Sequence, residues 1–184
     1  MPAYGYVIIA IGFVAWITPF FLMKRPGTRA EKVDRRARWG MVLEGIGYAV
    51  LWQSDFWARP PGPWRIGLSI LFFAAASLFS WSSARTLGRQ WRFDAGLNPD
   101  HQLVRSGVYG VVRHPIYASM LCLFLGMGFM VAPWVLFLIG AAIFLAGTEI
   151  RVRVEEKLLA AHFGAEFTEY RRSVPAYIPL LKGF

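Results

Sequence analysis

The chain has 184 residues, of which 56% are hydrophobic and 17% charged, with a formal net charge of +9. A soluble domain carries about a quarter charged residues, so this composition excludes an ordinary soluble fold and indicates one integral membrane domain. The positive balance does not indicate nucleic acid, because the basic residues lie beside apolar spans, where membrane topology alone accounts for them.

In chain order, the first apolar span covers about Tyr4–Met23, with aromatic residues near its ends and Pro19 near its exit. No cationic region precedes it and no small-residue cleavage site follows, so it reads as a retained helix rather than a signal peptide. The segment Lys24–Arg38 holds seven Lys or Arg against Glu31 and Asp34, which assigns it to the cytoplasm by the positive-inside rule. A weaker span, about Trp39–Trp57, contains Glu44, Gln53 and Asp55, and the break Ala58–Pro63 has turn composition. A third span covers about Trp64–Ser83, after which Arg85, Arg89 and Arg92 return the chain to the cytoplasm.

A polar connector from Leu87 to Tyr117 is the longest interval without a continuous apolar run, and it ends on Arg113-His114-Pro115. Apolar runs Ile116–Val131 and Trp134–Gly147 meet at Pro133, which predicts a tight hairpin of two transmembrane helices whose glycines and alanines allow close contact. The tail Glu149–Phe184 is mixed in charge and opens with an amphipathic helical pattern that Gly164 can stop. The expected architecture is an all-α integral membrane protein of five transmembrane helices, with a cytoplasmic connector and a C-terminal amphipathic helix. The N-terminus lies outside and the C-terminus inside. Residues 1–184 form a single membrane domain, with three N-terminal spans in 1–86 and the functional region in 87–184. Cys122 stands alone in an apolar run, so neither an internal disulfide nor a CxxC metal site is available, and no metal ligand set is assigned.

Four places could carry chemistry. Pro115 suits the first turn of a helix, so Arg113 and His114 sit at a positive helix end able to hold a carboxylate or phosphate. The same pair could instead anchor the helix at lipid headgroups. Arg151, Glu155, Leu158, Leu159 and His162 share a face if the last span continues as a helix. Adjacent Glu155 and Glu156 there could attract a cation or ammonium group, or merely be solvated. The loop holding His101, Leu103, Val104, Gly107 and Tyr109 could face a flat ring or only pack on helix ends. Glu44 is an ionisable group inside a span, near enough to the interface to pair with Arg36 or Arg38. Neither GxGxxG after a strand, a phosphate loop, HExxH nor GxSxG occurs, so soluble nucleotide-binding folds are not indicated.

The run His101, Leu103, Val104, Gly107, Tyr109, then Arg113-His114-Pro115-x-Tyr117, then Arg151 with Glu155-Glu156, Phe163-Gly164, Tyr170 and Ile178-Pro179 resembles the isoprenylcysteine carboxyl methyltransferase family. The related phospholipid methyltransferases share the RHPxY and EE elements. The likeness covers about Leu87–Pro179, with a weaker one to short prokaryotic members at Gly27–Ala30. It implies a transmembrane bundle binding S-adenosylmethionine on the cytoplasmic side, and methyl transfer to the carboxylate of a prenylated or lipid-like acceptor entering from the bilayer. His101, Leu103, Val104, Gly107, Tyr109, His114, Tyr117, Arg151 and Glu156 would belong to the cofactor side, and Arg113 and Glu155 would orient substrate or cofactor. Many relatives carry Gly where this chain has Ser119, which makes the acceptor less transferable. The readings weighed against this one are an NADPH-dependent membrane reductase of the steroid-reductase type and a non-enzymatic small membrane protein. The short chain suggests a prokaryotic cytoplasmic membrane.

Overall fold

A computed structural model describes residues 1–22, 36–88 and 102–179, with the backbone of 32–33 and 96–97. Six helices make up nearly all of it: α1 (Ala3–Leu22), α2 (Ala37–Val50), α3 (Pro63–Leu87), α4 (Pro115–Val131), α5 (Trp134–Phe163) and α6 (Ala165–Ser173). One two-residue antiparallel pair, Lys32–Val33 with Gly96–Leu97, joins the two polar connectors. By length and apolar composition α1, α3 and α5 can cross a membrane, and α4 is a shorter apolar helix. Residues 23–31, Gly27–Ala30 among them, lie outside the described residues, as does His101.

The helix ends follow local chemistry. Pro63 and Pro115 open α3 and α4, where a missing N–H costs nothing and the fixed φ suits the first turn. Ala132 is extended before Pro133, as the residue preceding a proline prefers, and this two-residue break separates α4 from α5. α2 stops at Val50, short of the expected Trp57, because Ser54 accepts a hydrogen bond from the Phe56 N–H and starts a separate 3-10 turn, Asp55–Ala58. α5 does not end near Gly147 but runs 30 residues to Phe163, and Gly164 at φ +56° turns the chain into α6.

Two close approaches set the packing. α2 and α5 meet backbone to backbone through glycines: a Cβ at Gly147 would lie 2.6 Å from the Gly40 carbonyl oxygen, and one at Gly47 would lie 2.9 Å from that of Gly140. Gly40, Glu44 and Gly47 on α2, with Leu51 just past its end, repeat at the spacing of Gly140, Phe144, Gly147 and Arg151 on α5, so one narrow stripe of each helix faces the other. On the other side, the Phe73 ring of α3 fills the space left by Gly12 of α1 and Gly126 of α4. Phe124 of α4 stacks on Phe144 and Phe137 of α5 within the central core.

The two ends of the bundle differ. At the Pro133 end, Trp64, Phe129, Trp134 and Phe137 form a ring cluster around buried Arg65. Arg65 donates from Nε to the Phe129 carbonyl at 2.6 Å and from Nη2 to those of Gly128 and Ala132. It thus caps the negative end of α4 with no carboxylate partner among the described residues. Charged groups of both signs gather at the opposite end, where α4 begins.

Candidate functional site

At that end the start of α4, the last turns of α5 and the tail converge. The tail folds back as a strap: the N–H groups of Arg113 and His114 each donate at 2.8 Å, to the carbonyls of Pro175 and Ala176. Val112, Tyr117, Val152, Ala176 and Tyr177 bury one another beneath it.

Glu156 is the centre of the cluster. It is buried, and its Oε1 accepts from Arg113 Nε at 3.0 Å and Nη2 at 2.7 Å, with His114 Nε2 at 3.2 Å. Its Oε2 lies 3.1 Å from Nε of Arg171 on α6. Arg113 is equally buried, and its Nη1 donates to the carbonyls of Arg171 (2.9 Å) and Val174. One guanidinium therefore neutralises the buried carboxylate and caps the end of α6. Of the donors that the sequence offers an anion at the start of α4, the Arg113 side chain and two backbone N–H groups are engaged within the chain.

Glu155, the neighbouring residue, points elsewhere. Successive helix positions differ by about 100°, and this turns Glu155 from the core to the rim, where its side chain is 36% exposed against 5% for Glu156. Tyr117 donates its hydroxyl to Glu155 Oε2 at 3.0 Å, and His114 Nδ1 lies 3.8 Å from the same oxygen. Among the described residues only Oε2 is engaged. Glu155 is thus the carboxylate able to receive an external cation, whereas Glu156 is held by internal partners.

Arg151 lies one turn before Glu155. Its guanidinium sits 4.7 Å from the centroid of the Tyr117 ring, and its Nη1 donates to Glu44 Oε2 at 2.6 Å. Thr148 donates to the other oxygen of Glu44 at 3.0 Å. Glu44 therefore pairs with α5 rather than with Arg36 or Arg38, because the glycine contacts bring α2 directly against that face.

Of the connector residues, Leu103 and Val104 are half-buried and Gly107 is exposed. Gly107 takes φ +59° and begins the 3-10 turn Gly107–Gly110. Tyr109 is buried, and its carbonyl accepts from the Tyr170 hydroxyl at 2.6 Å. Burial, then the charge of Glu155, holds the Tyr109 phenol well above its usual range, and burial pushes that of Tyr170 up to about 12. Both stay neutral near pH 7.

The structure thus brings together Arg113, His114, Tyr117, Arg151, Glu155 and Glu156, with Tyr109 nearby. Glu44 stood out in the sequence by its charge within an apolar segment, though not its partner, whereas Thr148, Arg171 and the strap carbonyls carry no such signal.

A helical bundle with membrane-length apolar helices and a buried ionic cluster at one end defines a class of membrane protein. Residues 64–166 match the family described as phospholipid methyltransferase. Because the match covers more than half of the chain, the protein belongs to that family, and it is a member of the isoprenylcysteine-methyltransferase-like kind. It is 34% identical over 84 residues to the protein-S-isoprenylcysteine O-methyltransferase of Schizosaccharomyces pombe, covering 46% of this chain and 36% of that one. It is 36% identical over 101 residues to the cobalt-zinc-cadmium resistance protein CzcN of Cupriavidus metallidurans (54% and 46%). A third relative, methanethiol S-methyltransferase 2 of Bradyrhizobium diazoefficiens, is 34% identical over 74 residues (40% and 27%). The chain thus spans less than half the length of each of these relatives.

Proposed function

We propose that this chain is a membrane methyltransferase that takes its methyl group from S-adenosylmethionine and delivers it to a carboxylate on a lipid-like or prenylated acceptor. The observation that carries this reading is the meeting of the Arg113-His114-Pro115 helix start with Glu155 and Glu156, two distant sequence elements joined into one cluster. Family membership supports it, as do the names of relatives that methylate.

The residues present suit this cofactor. Glu155 offers a partly exposed carboxylate for an ammonium group, and the connector offers half-buried apolar Leu103 and Val104 and the tight turn at Gly107, which suit a flat ring. When bound, S-adenosylmethionine supplies a methyl carbon activated by a sulfonium. Methyl transfer is an in-line displacement, so the protein's task is positioning. In this reading Glu155 holds the ammonium, and the Tyr117 hydroxyl fixes the Glu155 carboxylate. Arg113 acts from within: clamped by Glu156, it ties α5, α6 and the start of α4 into one frame. Tyr109 completes the ring side of the site.

A carboxylate acceptor needs no general base, which suits a cluster whose two connector-side phenols, Tyr109 and Tyr170, stay neutral. Exposed Val135, Leu138 and Ile139 on α5 and Trp39 and Val42 on α2 suit contact with lipid, from which an acyl-tailed acceptor would approach. We further propose five crossings, with α2 and α4 joining α1, α3 and α5, and α4 and α5 forming a hairpin. The N-terminus would lie outside, and the site would face the cytoplasm of a prokaryotic cell.

The test is transfer of labelled methyl from S-adenosylmethionine by the purified full chain, offered a farnesylated cysteine and, separately, a small alkyl thiol. Base-labile label on the farnesylated cysteine is expected. Label on the thiol alone would overturn the carboxylate assignment, and label on neither would overturn the prenylated acceptor.

A further inference from the structure

We propose that Glu44, on α2, is a positioning residue that keeps Glu155 available to the methyl donor by drawing Arg151 away from it. This rests on the donor reading above and deepens it. Arg151 and Glu155 stand four residues apart on α5, the spacing at which an arginine and a glutamate pair across one helical turn. With no other partner for Arg151 the two could meet, and Glu155 would then have its charge countered and its exposed oxygen occupied by that contact. In the structure they do not pair. The Arg151 Nη1 donates to Glu44 at 2.6 Å, and Glu155 faces Tyr117 instead.

Glu44 is buried, with one oxygen on Arg151 and the other on Thr148. Its arrangement is not needed to join α2 to α5, because the contacts at Gly40–Gly147 and Gly47–Gly140 already do so. Burying a carboxylate among apolar helices is costly, and replacing a buried ion pair with apolar groups is often neutral for stability. The pair is therefore better explained by what it does to its neighbours. Held by Glu44, the Arg151 guanidinium lies over the Tyr117 ring and fixes the phenol that donates to Glu155. The positioning chain runs from Glu44 through Arg151 and Tyr117 to Glu155, so a residue in a separate segment, outside the matched 64–166 region, sets the state of the donor-binding carboxylate.

The test is titration of S-adenosylmethionine into the full-length protein in lipid nanodiscs, with Michaelis constants for donor and acceptor measured separately. Glu44→Gln is expected to weaken donor binding about tenfold and leave the acceptor constant unchanged. Glu44→Asp, which keeps the charge, is expected to stay within about threefold of the parent. A Glu44→Gln protein that binds donor like the parent, or a Glu44→Asp protein as weak as Glu44→Gln, would overturn the inference. If Glu44→Gln does not fold, Thr148→Val, which removes one of the two partners of Glu44, is expected to weaken donor binding about twofold to threefold, and parent-like binding there contradicts the inference. A parent chain that binds no donor overturns the donor assignment itself and this inference with it, so the two failures are distinguishable.

Discussion

Arg113 and Glu156 are joined by two hydrogen bonds to a single carboxylate oxygen, at 3.0 and 2.7 Å, with both side chains buried. The remaining Nη1 of Arg113 is spent on the end of α6. Removing one partner of a buried pair costs about 3–5 kcal/mol, and because Arg171 and His114 remain beside Glu156, the lower end applies here. Arg113→Gln should therefore lower thermal stability in detergent by that order. Arg113→Lys should fall between, because an ammonium cannot serve the carboxylate and the α6 carbonyls with a planar fork. A parent-like melting curve for Arg113→Gln would remove the framing role.

The two adjacent glutamates should separate in their effects. Glu155→Gln should weaken donor binding while changing stability by no more than about 0.5 kcal/mol, as for other partly exposed sites. Glu156→Gln should cost about 3–5 kcal/mol, by leaving the buried charge of Arg113 without its carboxylate. Paired thermal melts and donor titrations check this, and equal stability losses in the two variants would contradict it.

Glycines on α2 should respond with opposite signs. An alanine at Gly47 would press its Cβ within 2.9 Å of the Gly140 carbonyl oxygen, whereas a Cβ at Gly45 would meet nothing within 4 Å. Gly47→Ala should destabilise by about 1–3 kcal/mol through overpacking. Gly45→Ala should stabilise by about 0.5–1 kcal/mol through helix propensity. The comparison is made by thermal unfolding of the two single variants against the parent.

Docking of the tail should weaken at high pH. The Tyr170 phenol is raised from 10.0 to about 12, chiefly by burial, and donates to the Tyr109 carbonyl. A folded-state value above the unfolded one means that the contribution is complete below about pH 10. It is lost as the pH rises from there through about 12. Stability measured across that window should fall in the parent and fall less in Tyr170→Phe. Identical slopes would contradict this.

Much of the site was legible in the sequence because its chemistry sits in short, dense elements. Pro115 marked a helix start, and the Glu155-Glu156 pair lay on the last long helix. The different roles of those two glutamates were not legible, because which one faces the core depends on how α5 is rotated against α4 and α6. The Glu44–Arg151 pair was also hidden. Its members lie 107 residues apart, and they meet only because α2 packs on α5 through glycines, a pairing that the order of spans does not dictate. The tail strap gave no signal either, since it acts through the carbonyls of Pro175 and Ala176, which every residue type possesses.

The most direct test of the account is S-adenosylmethionine binding by the purified full chain in lipid nanodiscs, measured beside Glu155→Gln. Saturable binding by the parent is expected, weakened about tenfold or more when Glu155 loses its charge. A parent chain that shows no saturable binding, or a Glu155→Gln chain that binds as tightly as the parent, would contradict it.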